Sequence, residues 1–367
     1  MNQQLIEEIV GGFQIEGEMK DCVRYGNGHI NETLLLQFSD TKNEQYKIVL
    51  QHMNQNIFKQ PEELMENIMN VTTYLQKQIA DKGGDPTRET LNFMTSKSGT
   101  PYYRDSQGEY WRAYRYVDEV DCLELAECAE DLYQSGLAFG NFQEMLAEYP
   151  AGSLHEIIKG FHDTRARFAV FKQAVKDDVC NRAASVENEI QFVLAHEELA
   201  NVFAELLDKG ELPLRVTQND TKLNNVLIDK NTRKAICVID LDTVMPGLAM
   251  NDFGDAIRFG ASTALEDEPD LRKVSCSMEL YEAFTKGFVE GCGGRLTEKE
   301  MDLMPMGAKV MTFECGMRFL TDYLQGDVYF KTHREGHNLD RCRTQFKLVE
   351  DMEQKWETMC AIVQKYK

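Results

Sequence analysis

The sequence predicts an α+β protein with two lobes, a small β-rich N-terminal lobe over residues 1–117 and a larger, mainly helical C-terminal lobe over residues 118–367. A chain of 367 residues is longer than one typical hydrophobic core accommodates, which favours two lobes. Up to residue 117, short runs rich in β-branched and aromatic residues alternate with turn residues, a pattern typical of strands and hairpins. From Leu123 onward, apolar residues recur at the spacing of helices.

The same patterns predict individual elements within each lobe. The N-terminal elements are a helix over 2–13, a strand, glycine-bearing turn and strand over 22–36, a strand over 46–51, a helix over 61–82 and a hairpin over 102–117. The C-terminal elements are helices near 122–148, 153–158, 164–180 and 184–207, a strand over 214–217, a hairpin over 226–239, and helices that include 311–324 and 340–366.

Composition excludes several classes of function. The formal net charge of −21 argues against a nucleic-acid or anionic-membrane partner, because both need a basic surface. The ten cysteines form no C-x-x-C pair, and we expect them to be reduced core residues. The N-terminus lacks a cationic segment followed by an apolar one, and no stretch approaches 18 uninterrupted apolar residues. We therefore expect a soluble, cytoplasmic protein.

The most informative stretch lies at the start of the 226–239 hairpin. Antiparallel pairing about the polar turn at 230–234 sets Asn225 opposite Asp240 at the open end of the hairpin. An amide oxygen and a carboxylate so placed form a hard-oxygen site suited to Mg²⁺. Asp220, in the loop just before, can orient or deprotonate an acceptor hydroxyl, and Lys222 can reach a transferred phosphoryl group. The alternative is a surface hairpin with solvated charges.

The order of these residues resembles that of protein kinases, which carry a catalytic-loop Asp, a metal-binding Asn five residues later, and then a second metal-binding Asp. By that resemblance the N-terminal lobe binds the nucleotide. The proposed nucleotide-binding residues are Gly26, Asn27, Gly28 and Asn31 of a phosphate-covering turn, Gln51 at the end of the third strand, and the hinge backbone of Tyr116 and Val117. An ordinary hairpin turn at Asn27-Gly28 and an aromatic edge strand near residue 116 remain open alternatives.

Four motifs resemble those of the aminoglycoside phosphotransferase and choline kinase superfamily. They are Tyr25-Gly-Asn-Gly-His-Ile-Asn31, Asn219-Asp-Thr-Lys-Leu-Asn-Asn225, Ile239-Asp-Leu-Asp-Thr-Val-Met-Pro-Gly247 and Asp252-Phe-Gly-Asp-Ala-Ile-Arg258. Two further stretches, Phe259-Gly-Ala-Ser-Thr-Ala-Leu-Glu-Asp-Glu268 and Glu314-Cys-Gly-Met-Arg-Phe-Leu320, look like those of bacterial N-acetylhexosamine 1-kinases.

The resemblance implies a protein-kinase-like fold and the ATP- and Mg²⁺-dependent phosphorylation of the anomeric C1 hydroxyl of GlcNAc or GalNAc. It implies catalytic roles for Asp220 and Lys222 and metal-binding roles for Asn225 and Asp240. The sugar-side candidates are His29, Asp242, Arg318 and Tyr329.

Two departures from the superfamily pattern stand out. Gln218 occupies a position that usually holds a loop-supporting His, and Gln51 occupies that of a phosphate-pairing Lys. Asp252 is predicted either to cap a helix or to support the catalytic loop.

Two other functions stay open from the residues. One is a kinase of the same fold with a different acceptor, such as choline, methylthioribose, homoserine or an aminoglycoside. The other is a non-catalytic, kinase-like binding protein, which only Gln51 and Gln218 favour. The sequence does not indicate the preferred sugar, the preferred nucleotide or the oligomeric state.

Overall fold

The computed structural model describes residues 3–26 and 31–367, which form two compact units. The first unit comprises Met1–Asp121, Gly152–Ile158 and Leu227–Met245. The second unit comprises Cys122–Ala151, Lys159–Val226 and Pro246–Lys367. The sequence predicts continuous lobes, 1–117 and 118–367, and these bounds stay a prediction beside the compact units, which interleave along the chain.

The strands and the helices are each numbered in the order in which they occur along the chain. The strands are β1 (Glu18–Arg24), β2 (Glu32–Ser39), β3 (Gln45–His52), β4 (Tyr103–Arg104), β5 (Tyr110–Arg115), β6 (Val120–Cys122), β7 (Arg215–Thr217), β8 (Val226–Asp229), β9 (Ala235–Val238) and β10 (Met245–Gly247). The helices are α1 (Gln3–Gly12), α2 (Pro61–Asp81), α3 (Pro86–Glu89), α4 (Ala129–Met145), α5 (Thr164–Asp177), α6 (Glu187–Ala195), α7 (Glu197–Asp208), α8 (Ala249–Gly260), α9 (Met278–Gly291), α10 (Glu298–Asp302), α11 (Met304–Gln325), α12 (His337–Gln354) and α13 (Trp356–Tyr366).

The first unit is built on a five-stranded sheet in the order β1-β2-β3-β5-β4. The apolar face of α1 packs on this sheet, with Ile9 and Phe13 against Leu36, Ile48 and Trp111. Antiparallel pairing of β3 with β5 sets residue 51 opposite residue 112, a register that matters for the site below. A second, three-stranded sheet has the order β6-β8-β9.

A buried asparagine ties two later chain segments to the N-terminal part of the first unit. Asn67 of α2 donates its side-chain amide to the carbonyl oxygens of His155 (2.8 Å) and Val244 (3.1 Å), and its side-chain oxygen accepts the His155 amide (2.9 Å). These bonds satisfy backbone groups that would otherwise be buried without partners. The segments 152–158 and 227–245 therefore belong to this unit although they are remote in sequence.

The second unit is mainly helical, and close packing of α8 on α11 fixes the elements that carry its functional residues. A Cβ atom on Gly254 of α8 would lie 2.3 Å from the Gly307 carbonyl oxygen, and one on Gly307 would lie 2.3 Å from the Met250 carbonyl oxygen. Only glycine allows the two backbones to approach so closely. The predicted α+β class, with a β-rich N-terminal region and a helical C-terminal region, is confirmed.

Several predicted elements differ in the structure, and among them the helix predicted over 340–366 divides at Lys355 into α12 and α13. Residues 154–158 are not helical, and the amide and carbonyl oxygen of His155 bond to the Asn67 side chain instead of to a helix backbone. The helix predicted over 184–207 divides at His196, which ends α6 and precedes α7. The amide of Asp229 donates to the Lys234 carbonyl oxygen (2.8 Å), so the hairpin closes with a shorter turn than predicted. The predicted pairing of residue 225 with residue 240 is therefore wrong, and β9 ends at Val238.

In the described parts of the chain, no helix combines the length and apolarity that a membrane span requires.

Candidate active site

The loop that carries Asp220 follows β7 and has an unusual backbone. Asn219, immediately before Asp220, adopts a left-handed conformation with φ of 63° and is buried. A residue other than glycine pays a conformational cost there, and such residues concentrate at functional sites. Because Asn219 turns the chain in this way, the orientation of Asp220 depends on what holds the peptide groups around it.

Asp252 of α8 holds this loop through hydrogen bonds. Its carboxylate accepts the amides of Gln218 (3.0 Å) and Asn219 (2.8 Å), and its own carbonyl oxygen accepts the Thr221 hydroxyl (2.5 Å). Burial raises the pKa of Asp252 to about 6, although the hydrogen bonds it accepts favour the carboxylate. Asp252 therefore supports the loop and is not the helix cap, a position that Leu248 occupies.

The predicted catalytic side chains lie together on this loop. Lys222 forms an ion pair with Asp220 (Nζ to Oδ1, 2.8 Å). The side-chain amide of Asn225 donates to the Asp220 carbonyl oxygen (2.8 Å) and lies 3.4 Å from its carboxylate. Burial would lower the pKa of Lys222, but the charges of Asp220 and Asp255 outweigh it and raise that pKa. Lys222 is therefore a cation at neutral pH.

Asp255 and Arg258 of α8 extend the charged cluster. Arg258 pairs with Asp255 (2.8 Å) and with Glu266 (2.8 Å). Burial opposes ionisation of Asp255, yet Arg258 and Lys222 hold its pKa below the usual value. The cluster keeps Lys222 charged and confined near Asp220.

The donor atoms of the two predicted metal ligands suit Mg²⁺, which prefers hard oxygen ligands. The Asn225 amide nitrogen is committed to Asp220, so its side-chain oxygen, which has no hydrogen-bond partner in the described ranges, remains as an acceptor. Asp240, in the first unit, offers a carboxylate and has a left-handed backbone with φ of 54°, a conformation that costs energy. Over residues 3–26 and 31–367, no group of three or more His, Cys, Asp or Glu side chains is arranged to hold a metal.

In the first unit, a buried arginine lies beside the position where the superfamily usually has a lysine. Arg112 is opposite Gln51 in the sheet, donates to its side-chain oxygen (2.9 Å) and forms an ion pair with Asp242. Asn31 donates to the other Asp242 oxygen (2.6 Å). The side chains of Arg112 and Asp242 are only 3% and 5% exposed. Residue 51 thus carries no cation, but Arg112 supplies one on the neighbouring strand. Arg112 and Asn31 together hold the Asp242 carboxylate.

We expect Arg112→Met to lower the free energy of unfolding by about 3–5 kcal/mol, because it leaves the Asp242 carboxylate buried without its cation. Urea denaturation measures the change. Arg115→Met, an exposed arginine on the same strand, is the matched control and should cost less than about 1 kcal/mol. Equal losses for the two variants would contradict the assignment of Arg112 as the counter-charge of Asp242. In a double variant, Asp242→Asn should restore part of the stability lost by Arg112→Met, and its failure to do so would also contradict the assignment.

The remaining predicted nucleotide-side residues are only partly within the described chain. Gly26 has the positive φ, 75°, that its predicted turn requires. Asn27, Gly28 and His29 lie outside the described residues. The Tyr116 amide donates to the Lys47 carbonyl oxygen (3.1 Å), whereas no hydrogen bond engages the backbone groups of Val117 in the described ranges.

The two remaining sugar-side candidates lie together in the second unit. The Arg318 guanidinium is 5.9 Å from the ring centre of Tyr329 and also lies over Phe161 (5.8 Å) and Phe330 (5.4 Å). Within the described part of the chain, this guanidinium has no hydrogen-bond or ion-pair partner. The Tyr329 side chain is 62% exposed. The pair thus combines guanidinium N–H donors that bond to no described residue with a largely exposed aromatic ring.

Two residues that sequence reasoning missed are central to this geometry. Arg112 was not singled out, although a charged residue inside a run of buried strand positions signals a buried partner. His162 was also missed. Its ring contacts Glu314 and the Asn219 carbonyl oxygen, and no local motif marks it. The side chains of Glu62, Glu63 and Glu66 in α2 bond to Tyr110 and His155 and not to Gln51.

A family model described as the phosphotransferase enzyme family, APH, matches residues 37–275. This range covers more than half of the chain, and the chain belongs to that family. It is a small-molecule phosphotransferase of the aminoglycoside phosphotransferase and choline kinase type.

Solved structures support the same fold. A microcompartment-associated aminopropanol kinase is 13% identical, with a TM-score of 0.63 and 98% of each chain covered. An aminoglycoside phosphotransferase from Alicyclobacillus acidocaldarius is 12% identical, with a TM-score of 0.60 and coverage of 100% of this chain and 97% of the other. The amicoumacin kinase hAmiN, solved with AMP-PNP, Ca²⁺ and Ami, is 11% identical, with a TM-score of 0.57 and coverage of 97% and 94%. At these identities the likeness concerns the fold.

Proposed function

We propose that this protein is a cytoplasmic N-acetylhexosamine 1-kinase, which transfers the γ-phosphoryl group of ATP to the anomeric C1 hydroxyl of GlcNAc or GalNAc. The observation that carries the kinase chemistry is the cluster of Asp220, Lys222 and Asn225 on one loop, with Asp220 and Lys222 2.8 Å apart. The sugar assignment rests on the motif resemblance and on the N–H donors of Arg318 beside the exposed ring of Tyr329.

Asp220 aligns the sugar hydroxyl and accepts its proton as the hydroxyl oxygen forms a bond to the γ-phosphorus. The bond from that phosphorus to the bridging oxygen breaks, and ADP leaves. The transition state is loose, so positioning and charge neutralisation contribute most of the catalysis. Lys222 neutralises charge on the moving phosphoryl group, and its raised pKa keeps it available for this role.

Asn225 and Asp240 would hold Mg²⁺, which supplies neutralisation of phosphate charge when bound. Arg112 adds a cation beside Gln51, where the superfamily usually has its lysine. Gly26, Asn27, Gly28 and Asn31 would cover the phosphates, and the backbone at Tyr116 and Val117 would receive the adenine. The hAmiN complex with AMP-PNP and Ca²⁺ supports a nucleotide and a divalent cation as partners in this fold.

On the acceptor side, Tyr329 offers a ring face on which a sugar can stack, and Arg318 offers N–H donors to an acetamido carbonyl or a hydroxyl. His29 and Asp242 complete the proposed sugar-side set. Asp242 is already engaged by Arg112 and Asn31, so any contact it makes with sugar would be additional to that pair.

A second candidate is an amino-alcohol kinase. The observation that favours it is the structural likeness to the aminopropanol kinase, at a TM-score of 0.63 over nearly the whole of both chains. Acceptor-dependent ADP release separates the candidates when GlcNAc, GalNAc, 1-amino-2-propanol, ethanolamine, choline and an aminoglycoside are compared with Mg²⁺ and ATP. Turnover confined to the two amino sugars supports the proposal, and turnover confined to an amino alcohol replaces it.

Arg318→Met is expected to raise KM for the amino sugar about 10- to 100-fold, because it removes hydrogen bonds donated by a charged group. KM for ATP should stay within about threefold. Arg165→Met is the matched control, since that arginine is 42% exposed and pairs with Asp208. Steady-state kinetics with each substrate varied makes the measurement. An unchanged sugar KM in the Arg318 variant would remove Arg318 from the acceptor site.

A further inference from the structure

His162 lies buried between two hydrogen-bond acceptors. Its Nδ1 is 3.0 Å from Glu314 Oε1, and its Nε2 is 3.1 Å from the carbonyl oxygen of Asn219. A carboxylate and a carbonyl oxygen can only accept hydrogen bonds. The imidazole ring therefore donates on both sides, which requires both nitrogens to carry a proton and the ring to be a cation.

The surroundings of His162 support the charged form. Burial alone would lower its pKa, but the hydrogen bond and charge of Glu314 outweigh burial, Asp255 adds to them, and the pKa rises. Asp252 also interacts favourably with the cation. The second Glu314 oxygen accepts the Thr164 hydroxyl (2.6 Å), which fixes the carboxylate.

Arg318 interacts electrostatically with Glu314. It helps to keep the pKa of Glu314 low, after the larger effects of burial, which opposes this, and of His162. A buried charge without a counter-charge is costly, so His162 and Glu314 are stable here only as a pair.

The carbonyl that His162 holds belongs to the peptide group that joins Asn219 to Asp220. The amide of the same peptide group, on Asp220, donates to the side-chain oxygen of Gln218 (2.7 Å). Both polar atoms of this peptide group are thus held by side chains, one on each side. The peptide plane sets the direction in which the Asp220 side chain leaves the backbone, and Asn219 itself is in a conformation that costs energy.

We propose that His162, kept cationic by Glu314, is a positioning residue for Asp220. It acts through the Asn219 carbonyl oxygen, and together with Gln218 it anchors a loop in which the superfamily's usual histidine is missing. The role of Asp220 in phosphoryl transfer is taken from the proposed function. The position of the loop and the charge of His162 do not depend on which acceptor is used.

The first part of the test needs no turnover. In ¹⁵N-histidine-labelled protein, ring nitrogen shifts measured against pH give the protonation state of His162, with His162→Gln assigning its signals among the seven histidines. We expect a cation at neutral pH in the wild-type protein, with titration above the usual histidine range. Glu314→Gln should move that titration to lower pH. A ring that is neutral at pH 7 in the folded wild-type protein would overturn the proposal, whatever the enzyme phosphorylates.

The second part measures the loop and the rate. His162→Gln should speed hydrogen exchange of the Asp220 amide at least about tenfold and lower kcat about 10- to 100-fold, because small misplacements of a reacting group have effects of that size. Both KM values should stay within about threefold. His155→Gln, which alters another histidine–glutamate pair outside this loop, is the matched control.

The pH profile distinguishes positioning from a purely structural role. Folding raises the pKa of His162, so the stability that its cation contributes is fully present below the pKa of the unfolded state, about 6.5. That contribution is lost as pH rises through the pKa of the folded state. Wild-type kcat should therefore fall on the alkaline side, and Glu314→Gln should move that fall to lower pH. If His162→Gln does not fold, Glu314→Gln supplies the same comparison with a side chain of matching shape. Unchanged amide exchange together with an unchanged pH profile would contradict the proposal.

Discussion

Asp220→Asn is expected to lower kcat by about 10²- to 10⁴-fold, the range that positioned acid–base groups contribute. Asparagine has the same shape but cannot take the proton of the acceptor hydroxyl or pair with Lys222, 2.8 Å away. The Asp220 side chain is 29% exposed, and the loop is held through its backbone by Asp252, so the variant should fold normally. Steady-state kinetics, thermal denaturation and ATP binding by calorimetry measure the three quantities.

Asp81→Asn is the matched control for this variant, because Asp81 is exposed at the end of α2. It should retain the kcat of the wild-type protein. Near-normal turnover by the Asp220 variant would show that the proton is accepted elsewhere and would refute the catalytic assignment. A loss of turnover accompanied by unfolding would instead point to a structural role for Asp220.

Asp240→Ala is expected to abolish the dependence of ATP binding on Mg²⁺ and to lower kcat at least about 100-fold, since metal neutralisation of phosphate charge is worth several kcal/mol. The residue has a left-handed backbone, a conformation that costs energy and that is concentrated at functional sites. Calorimetric titration of ATP with and without Mg²⁺ measures the effect.

The result for Asp240→Ala must be compared with that for Asp81→Ala at the same ionic strength, because the whole chain is strongly acidic. In the control, Mg²⁺ should tighten ATP binding as it does in the wild-type protein. If Mg²⁺ still tightens ATP binding to the Asp240 variant by the wild-type factor, the metal is held by other residues.

Local pattern was sufficient to predict much of the fold. The apolar spacing predicted α2 to within one residue, and the strands of the first sheet were placed by their β-branched and aromatic runs. The same approach failed for residues 154–158, where Asn67, more than 80 positions earlier, satisfies the backbone amide and carbonyl oxygen of His155. It also placed the 226–239 hairpin in the wrong register, since the choice between neighbouring turns depends on bonds around Asp229 that composition does not reveal.

In the site, too, residues close in sequence could be predicted to act together, whereas contacts between distant residues could not. Asp220, Lys222 and Asn225 are adjacent in sequence, so spacing alone predicted that they act together. The partner of Asp242 was not predicted, because Arg112 lies 130 positions away and is brought near by strand pairing.

The residues that position Asp220 could not be predicted from local spacing. His162 and Glu314 are 152 positions apart, and only the packing of the second unit joins them. The left-handed backbone of Asn219 carries no sequence signal, because asparagine is common in ordinary loops as well.

Phosphoryl transfer to C1 is tested most directly by ³¹P NMR of the product formed from GlcNAc, ATP and Mg²⁺ by the wild-type protein, with Asp220→Asn as the negative control. We expect a sugar phosphate resonance coupled to the anomeric proton, formed together with ADP and absent from the control reaction. A phosphorus coupled to another sugar position would contradict transfer to C1. Failure of GlcNAc and GalNAc to react, while another acceptor is phosphorylated, would retain the phosphotransferase and reject the amino sugar as its substrate.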